Sequence, residues 1–287
     1  MTAQVLRGKD VSQPLREKLS EELKQLTSQP NLAIVRVGND PSQMSYETSC
    51  QRIMGKLGIQ TTSYVFSEDI NQADFDSLFK DINDNPEVTS ILLLKPLPKH
   101  LTDEKVNQLI RPEKDVDCIG TANMAKLYQD DYSRFVPCTA QACMEILDYT
   151  GIDLKGKKVA MIGFGMVIGK PLTLMLVKRG ATVVVCHEFT QDVPKETKEC
   201  DVLITATGVA GLVGTEHVNE KMIVIDVGIN VNDKGELVGD VSYEPVKEIV
   251  AGVTPVPGGV GTVTNTVLAS HVLKSYQLQE SSQLVSV

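Results

Sequence analysis

Three glycines, Gly163, Gly165 and Gly169, stand between the apolar run "KKVAMI" and a stretch of helical periodicity, in the pattern GxGxxxG. At a strand-to-helix turn, glycines let the main chain pass close to an anion. The N–H groups of the helix start then face that anion, as they do around a pyrophosphate. Turns also collect glycine for steric reasons alone, so a plain structural turn stands beside the nucleotide reading. Pro171 falls where the first turn of a helix tolerates it. Phe164, Met166 and Ile168 fill out the turn, and the next strand, "ATVVVCHE", ends in Glu188. An acid there accepts hydrogen bonds from an adenosine ribose and repels a 2′-phosphate, which favours NAD over NADP. The plainer alternative is one more solvated acid at a strand end. Thr207 and Gly208, and later Gly228 and Ile229, follow further strands. Their glycines would let main chain come near a nicotinamide or ribose.

Other chemistries find little support. The six cysteines (Cys50, Cys118, Cys138, Cys143, Cys186 and Cys200) form no CxxC pair, and the four histidines form no HxxxH pair. No metal site is expected, and the thiols read as free and buried. A formal net charge of −9 argues against a nucleic-acid partner, because affinity for phosphate backbones comes from Lys and Arg. No signal-like start and no apolar run of membrane-spanning length is present, so the cytosol is the default and no membrane partner is expected.

The elements that must position these residues alternate strand and helix, the pattern of a parallel α/β protein. A length of 287 residues agrees with two domains. The reading places helices over 11–27, 42–58, 72–82, 103–110 and 263–278, with Gly58 ending the second. Strands are expected near 33–37, 61–66, 89–94, 158–162, 182–186, 201–205 and 222–227. The stretch "RPEKDVDCIGTANM" reads as irregular, and Thr139 as the N-cap of a helix that Gly151 ends.

Six further motifs are more specific: "PEKDVD" (112–117), "VPCT" (136–139), "DLKGKKV" (153–159), "IGKP" (168–171), "GDV" (239–241) and "TPVPGGVG" (254–261). In this order and spacing the chain resembles the methylenetetrahydrofolate dehydrogenase/methenyltetrahydrofolate cyclohydrolase family, from about residue 5 to 280. The resemblance implies an N-terminal α/β folate-binding domain, residues 1–140 with 263–280, and a Rossmann-like domain over 141–262. Two long helices, around 139–150 and 263–278, would join them with the active cleft between. It also implies a homodimer, a tetrahydrofolate substrate and a nicotinamide cofactor. The dehydrogenase step moves a hydride from 5,10-methylenetetrahydrofolate to the nicotinamide; the cyclohydrolase step adds water to the methenyl product and yields 10-formyltetrahydrofolate.

By the same resemblance, Tyr46 packs on the folate and Asp117 binds the pterin, its carboxylate accepting paired hydrogen bonds. Pro257, Gly258 and Gly259 match the loop lining the folate cleft. From the residues alone, Tyr46 reads more readily as core, on a stripe with Cys50, Ile53 and Leu57. Asp117 reads as a loop acid. Two positions depart from the pattern. Cys50 stands where the family carries the lysine credited with the cyclohydrolase step, and Leu94 where it carries the glutamine that holds that lysine. Lys95 is a possible substitute, although successive strand residues face opposite sides. At the glycine turn, Phe164 and Gly165 replace an arginine and a serine that help bind the 2′-phosphate of NADP, and Glu188 stands where a serine is common. The expectation is a dehydrogenase preferring NAD, with the cyclohydrolase step weakened or absent. The alternatives are a bifunctional NADP enzyme with a substitute for the lysine, and a non-catalytic folate- or nucleotide-binding paralogue.

Overall fold

The structure is a computed structural model that describes residues 3–285, with side chains through residue 281. In chain order the first elements are β1 (Gln4–Val5), α1 (Gly8–Leu23), β2 (Asn31–Val37), α2 (Pro41–Leu57), β3 (Gln60–Phe66), α3 (Gln72–Asp84) and β4 (Ser90–Leu93). There follow α4 (Glu104–Leu109), α5 (Thr121–Tyr128), α6 (Cys138–Thr150), β5 (Lys158–Ile162), α7 (Gly169–Lys178), β6 (Thr182–Cys186) and α8 (Val193–Thr197). The last are β7 (Val202–Thr205), β8 (Ile223–Asp226), β9 (Asn230–Val231), β10 (Leu237–Val238), α9 (Tyr243–Lys247), β11 (Gly252–Val253) and α10 (Val260–Val285). It is an α/β protein throughout.

The chain divides into two compact units, Met1–Pro14 with Thr139–Thr264, and Leu15–Cys138 with Asn265–Val287. It therefore passes between them inside α1 as well as inside α6 and α10. The residues before Leu15 group with 139–264, not with the rest of 1–140 as the sequence reading placed them. The cause is local: β1 pairs in parallel with β11, Gln4 opposite Gly252 and Val5 opposite Val253.

In the first unit six strands form a sheet in the order β1-β11-β8-β7-β5-β6, every pairing parallel. Strand order reverses at β5, which lies between β6 and β7, so a crevice opens beyond its carboxyl end. Buried Ala160, Ile162, Leu203, Val224 and Val253 belong to one apolar core. β9 and β10 form a separate antiparallel pair.

The second unit has a parallel three-stranded sheet, β3-β2-β4. Its core joins Val35, Phe75, Phe79, Ile91 and Val106. α2 starts where Asp40 accepts from the N–H groups of Ser42 and Gln43, at 3.0 and 2.9 Å. It stops at Gly58, whose φ of 80° is costly for any residue with a Cβ. Those two signals fix which face of α2 carries Tyr46 and Cys50.

Two local expectations change. The stretch read as irregular holds α5, and Thr139 lies inside the first turn of α6 because that helix begins at Cys138. Among the described residues no helix is long and apolar enough to cross a membrane.

Candidate functional site

The glycine turn of the first unit follows β5. Gly163 has a φ of 96°, and a Cβ there would stand 2.4 Å from the Ala206 carbonyl oxygen. Gly169 opens α7 so close to the turn that a Cβ would lie 2.2 Å from the Gly163 oxygen. Both glycines are required by the packing of strand against helix. At Gly165 a Cβ would meet nothing within 4 Å, so this glycine leaves open space beside exposed main chain. Phe164 and Met166 are exposed, and Ile168 is the N-cap of α7. Lys170, which the sequence reading left out, places its ammonium 3.2 Å from Met166 Sδ and 5.8 Å from the centre of the Phe164 ring. A cation therefore stands at the turn, although the arginine of the resemblance is absent.

Glu188 is exposed two residues beyond β6, with no ion pair among the described residues, free to meet a ligand or only water. Thr207 and Gly208 follow β7, and Gly228 and Ile229 follow β8. Ile229 is 68% exposed. The small size of Gly228 has a cause inside the protein: a Cβ would fall 2.0 Å from Asp240 Oδ1. In the same unit Gly258 has a φ of 99°, and Gly259 is pressed against the Pro255 carbonyl, 2.5 Å from where its Cβ would stand. Pro257 is exposed beside them. The Gly8 N–H donates to the Gly258 oxygen at 2.8 Å, tying this loop to the start of α1.

In the second unit the fold gathers the expected side chains. Tyr46 is half-buried, and its phenol is pushed well up, first by burial and then by nearby Asp117. Asp117 lies in the loop between α4 and α5, and its Oδ1 accepts from the Cys138 N–H at 2.9 Å. Burial raises its pKa, while that hydrogen bond and the charge of Lys95 pull the other way. Behind Asp117 lies a neutral pair, Cys138 and His271, with sulfur and Nδ1 3.4 Å apart. Burial lowers the imidazole to about 4, so Nδ1 donates to the Val116 carbonyl as an uncharged ring.

Cys50 is fully buried, and its thiol is raised to about 12 by burial and then by Glu47. Glu47 is itself paired with Arg36 at 2.7 Å, a buried ion pair that sequence spacing did not reveal. Leu94 is buried at the end of β4, its N–H bonded to the Val35 carbonyl. Lys95 points the other way, is exposed, and pairs with Asp103. Gln43, one turn before Tyr46 on α2, was also missed. Its Nε2 donates to the Pro96 carbonyl at 2.8 Å, and its buried Oε1 has no hydrogen-bond partner among the described residues. The described residues contain no cluster of His, Cys, Asp and Glu able to hold a metal ion.

A doubly wound parallel sheet with an anion-ready glycine turn, joined to a unit that collects Tyr46, Asp117 and Lys95, defines the class: an α/β enzyme that binds a nicotinamide nucleotide. Comparison with known proteins makes it specific. Two family profiles match, the tetrahydrofolate dehydrogenase/cyclohydrolase catalytic domain over residues 6–117 and its NAD(P)-binding domain over 137–280. The bifunctional protein FolD of Clostridium botulinum is 44% identical over 272 residues, covering 94% of this chain and 96% of its own. The crystal structure of the Campylobacter jejuni bifunctional enzyme FolD superposes with a TM-score of 0.93 at 35% identity, covering 96% of this chain and 99% of that one. A Trypanosoma brucei methylenetetrahydrofolate dehydrogenase-cyclohydrolase, solved with NADP and an inhibitor, gives 0.92 at 30% identity over 97% and 99% of the two chains. The chain belongs to the tetrahydrofolate dehydrogenase/cyclohydrolase family.

Proposed function

We propose that the protein oxidises 5,10-methylenetetrahydrofolate by hydride transfer to a nicotinamide cofactor, with its cyclohydrolase step weakened or lost. The C–H bond of the methylene bridge breaks, its electron pair goes to the nicotinamide ring, and the folate is left as the methenyl cation. This step depends mainly on holding two bound molecules in register. Asp117, Tyr46 and the Pro257–Gly259 loop are assigned to the folate. The glycine turn, Glu188, Thr207, Gly208, Gly228 and Ile229 are assigned to the nucleotide.

The observation that carries the second half of this reading is Cys50. Water addition to the methenyl group needs a residue able to manage a proton or polarise the leaving nitrogen. A fully buried thiol held near 12 is neutral at physiological pH and a poor hydrogen-bond donor. Lys95 lies within electrostatic reach of Asp117 but is already engaged by Asp103. Its release from Asp103 is the route by which a bifunctional enzyme would survive these substitutions. Cofactor choice rests on Phe164 and Glu188, which favour NAD; Lys170 at the turn works against an absolute preference. The family resemblance supports a homodimer.

The test is a progress curve with 5,10-methylenetetrahydrofolate and either NAD⁺ or NADP⁺, following reduced nicotinamide and methenyl product separately. Equal accumulation of both, beyond spontaneous hydrolysis, is the expected outcome. Failure of methenyl to build up while reduced nicotinamide rises would overturn the loss of the cyclohydrolase step. In the variant Cys50→Lys with Leu94→Gln, methenyl should disappear faster than in the parent protein.

A further inference from the structure

The "GDV" motif at 239–241 has no role in the assignments above, yet it sits at the centre of a polar network in the six-stranded unit. Asp240 is completely buried and Asp226, the last residue of β8, is 3% exposed. Neither has an ion pair among the described residues. Asp240 Oδ2 accepts from the Thr207 N–H at 2.6 Å, the Thr207 hydroxyl at 2.8 Å, the Thr205 hydroxyl at 3.1 Å and the Gly208 N–H at 3.3 Å. Its Oδ1 accepts from Asn230 Nδ2 at 3.0 Å. Asp226 in turn holds Asp240: its Oδ1 accepts from the main-chain N–H groups of Asp240 and Gly228, both at 3.0 Å, and its Oδ2 from that of Val241 at 2.9 Å.

We propose that Asp240 is a positioning residue of the nicotinamide half of the cofactor site, its carboxylate fastening the loop after β7 to the loop after β8. This rests on the reading that those two loops receive the cofactor. A buried carboxylate without a counter-cation needs its hydrogen bonds in full, so it holds all its donors at fixed places. The fastening also selects chemistry. Because the N–H groups of Thr207 and Gly208 turn inward to Asp240, that loop has little left to offer an anion, and the charge beneath it repels one. It suits a ligand group that donates hydrogen bonds, such as a ribose hydroxyl or the carboxamide of nicotinamide. The diphosphate is left to the glycine turn.

Calorimetric titration with NAD⁺ and with ADP, which lacks the nicotinamide half, separates the possibilities. In Asp240→Asn an amide N–H₂ faces donors on one side, so that side loses its acceptor. The expected result is NAD⁺ binding weakened about tenfold or more, ADP binding changed less than about twofold, and a raised KM for NAD⁺ with the KM for the folate preserved. Equal weakening of NAD⁺ and ADP would reduce Asp240 to a purely structural residue and overturn the proposal. Unchanged NAD⁺ binding would overturn it as well. Should Asp240→Asn fail to fold, Thr207→Val removes one of the five bonds, and a loss of about threefold for NAD⁺ alone is expected. If the parent protein binds ADP and NAD⁺ equally tightly, the assignment of these loops to the nicotinamide fails instead, before any variant is made.

Discussion

In the six-stranded unit the candidate site is largely main chain. Gly163 and Gly169 are there because strand and helix touch, and Thr207, Gly208 and Gly228 are held by carboxylates below the surface. In the three-stranded unit the candidate residues are side chains, Tyr46, Asp117, Cys50 and Lys95, spread over a helix and two loops, and the first three are shifted chiefly by burial. The contrast shows two ways of tolerating change. A main-chain site is damaged by adding atoms and is largely indifferent to which side chains border it. A side-chain site keeps its frame when a residue is replaced and loses only that residue's chemistry. Gly163 and Cys50 are examples of the two cases.

The largest effect expected from this contrast is at Asp117. Asp117→Ala removes charged hydrogen bonds and should lower kcat/KM for methylenetetrahydrofolate by at least about a hundredfold. Nucleotide binding measured by calorimetry should stay within about twofold. Loss of both would mean that the two sites are not held independently.

Next comes pH. Asp115 in one unit and Asp226 in the other are both raised from 3.8 to about 6, in each case chiefly by burial. An acid that holds its proton more tightly when folded contributes stability that is fully present below about pH 4 and lost as pH rises through about 6. Each carboxyl therefore contributes a decline of about 3 kcal/mol over that window. Urea unfolding of Asp115→Asn and Asp226→Asn at pH 4.5 and 7.5 should show a smaller decline than the parent protein. Unequal relief would show that one unit solvates its buried acid better than the other.

Adding a single methyl group to the main-chain site follows. Gly163→Ala meets the Ala206 carbonyl with φ at 96°, and should cost about 2 kcal/mol of stability together with most nucleotide affinity. Gly165→Ala, where a Cβ meets nothing, should leave the unfolding midpoint unchanged. The smallest effect is expected at exposed Glu188. Glu188→Ser should shift the NAD/NADP ratio of kcat/KM toward NADP by about fivefold, and an unmoved ratio would remove Glu188 from the ribose.

Alternation of strand and helix, the glycine turn and the Gly58 stop were legible because each is written within a few neighbouring residues. β1 was not: two residues make a strand only because Gly252 and Val253 lie alongside them. α5 was hidden behind an irregular lead-in, and Thr139 missed its cap by two positions. In the candidate site, Cys50, Leu94 and Asp117 were visible by position in a motif. The environment of each was not. Nothing in the sequence pairs Arg36 with Glu47, Lys95 with Asp103 or Cys138 with His271, because those contacts join separate elements. Asp226 and Asp240 belong to the same category: only Asp240 stood in a motif, and their meeting is a property of two loops folding back together.

The pairing of β1 with β11 also bears on how the molecule is made. β1 is synthesised long before β11, the partner it pairs with. Until β11 follows, that edge of the sheet cannot be closed. Contacts so distant in sequence pay the entropy of closing a long loop before they gain anything, and they form slowly.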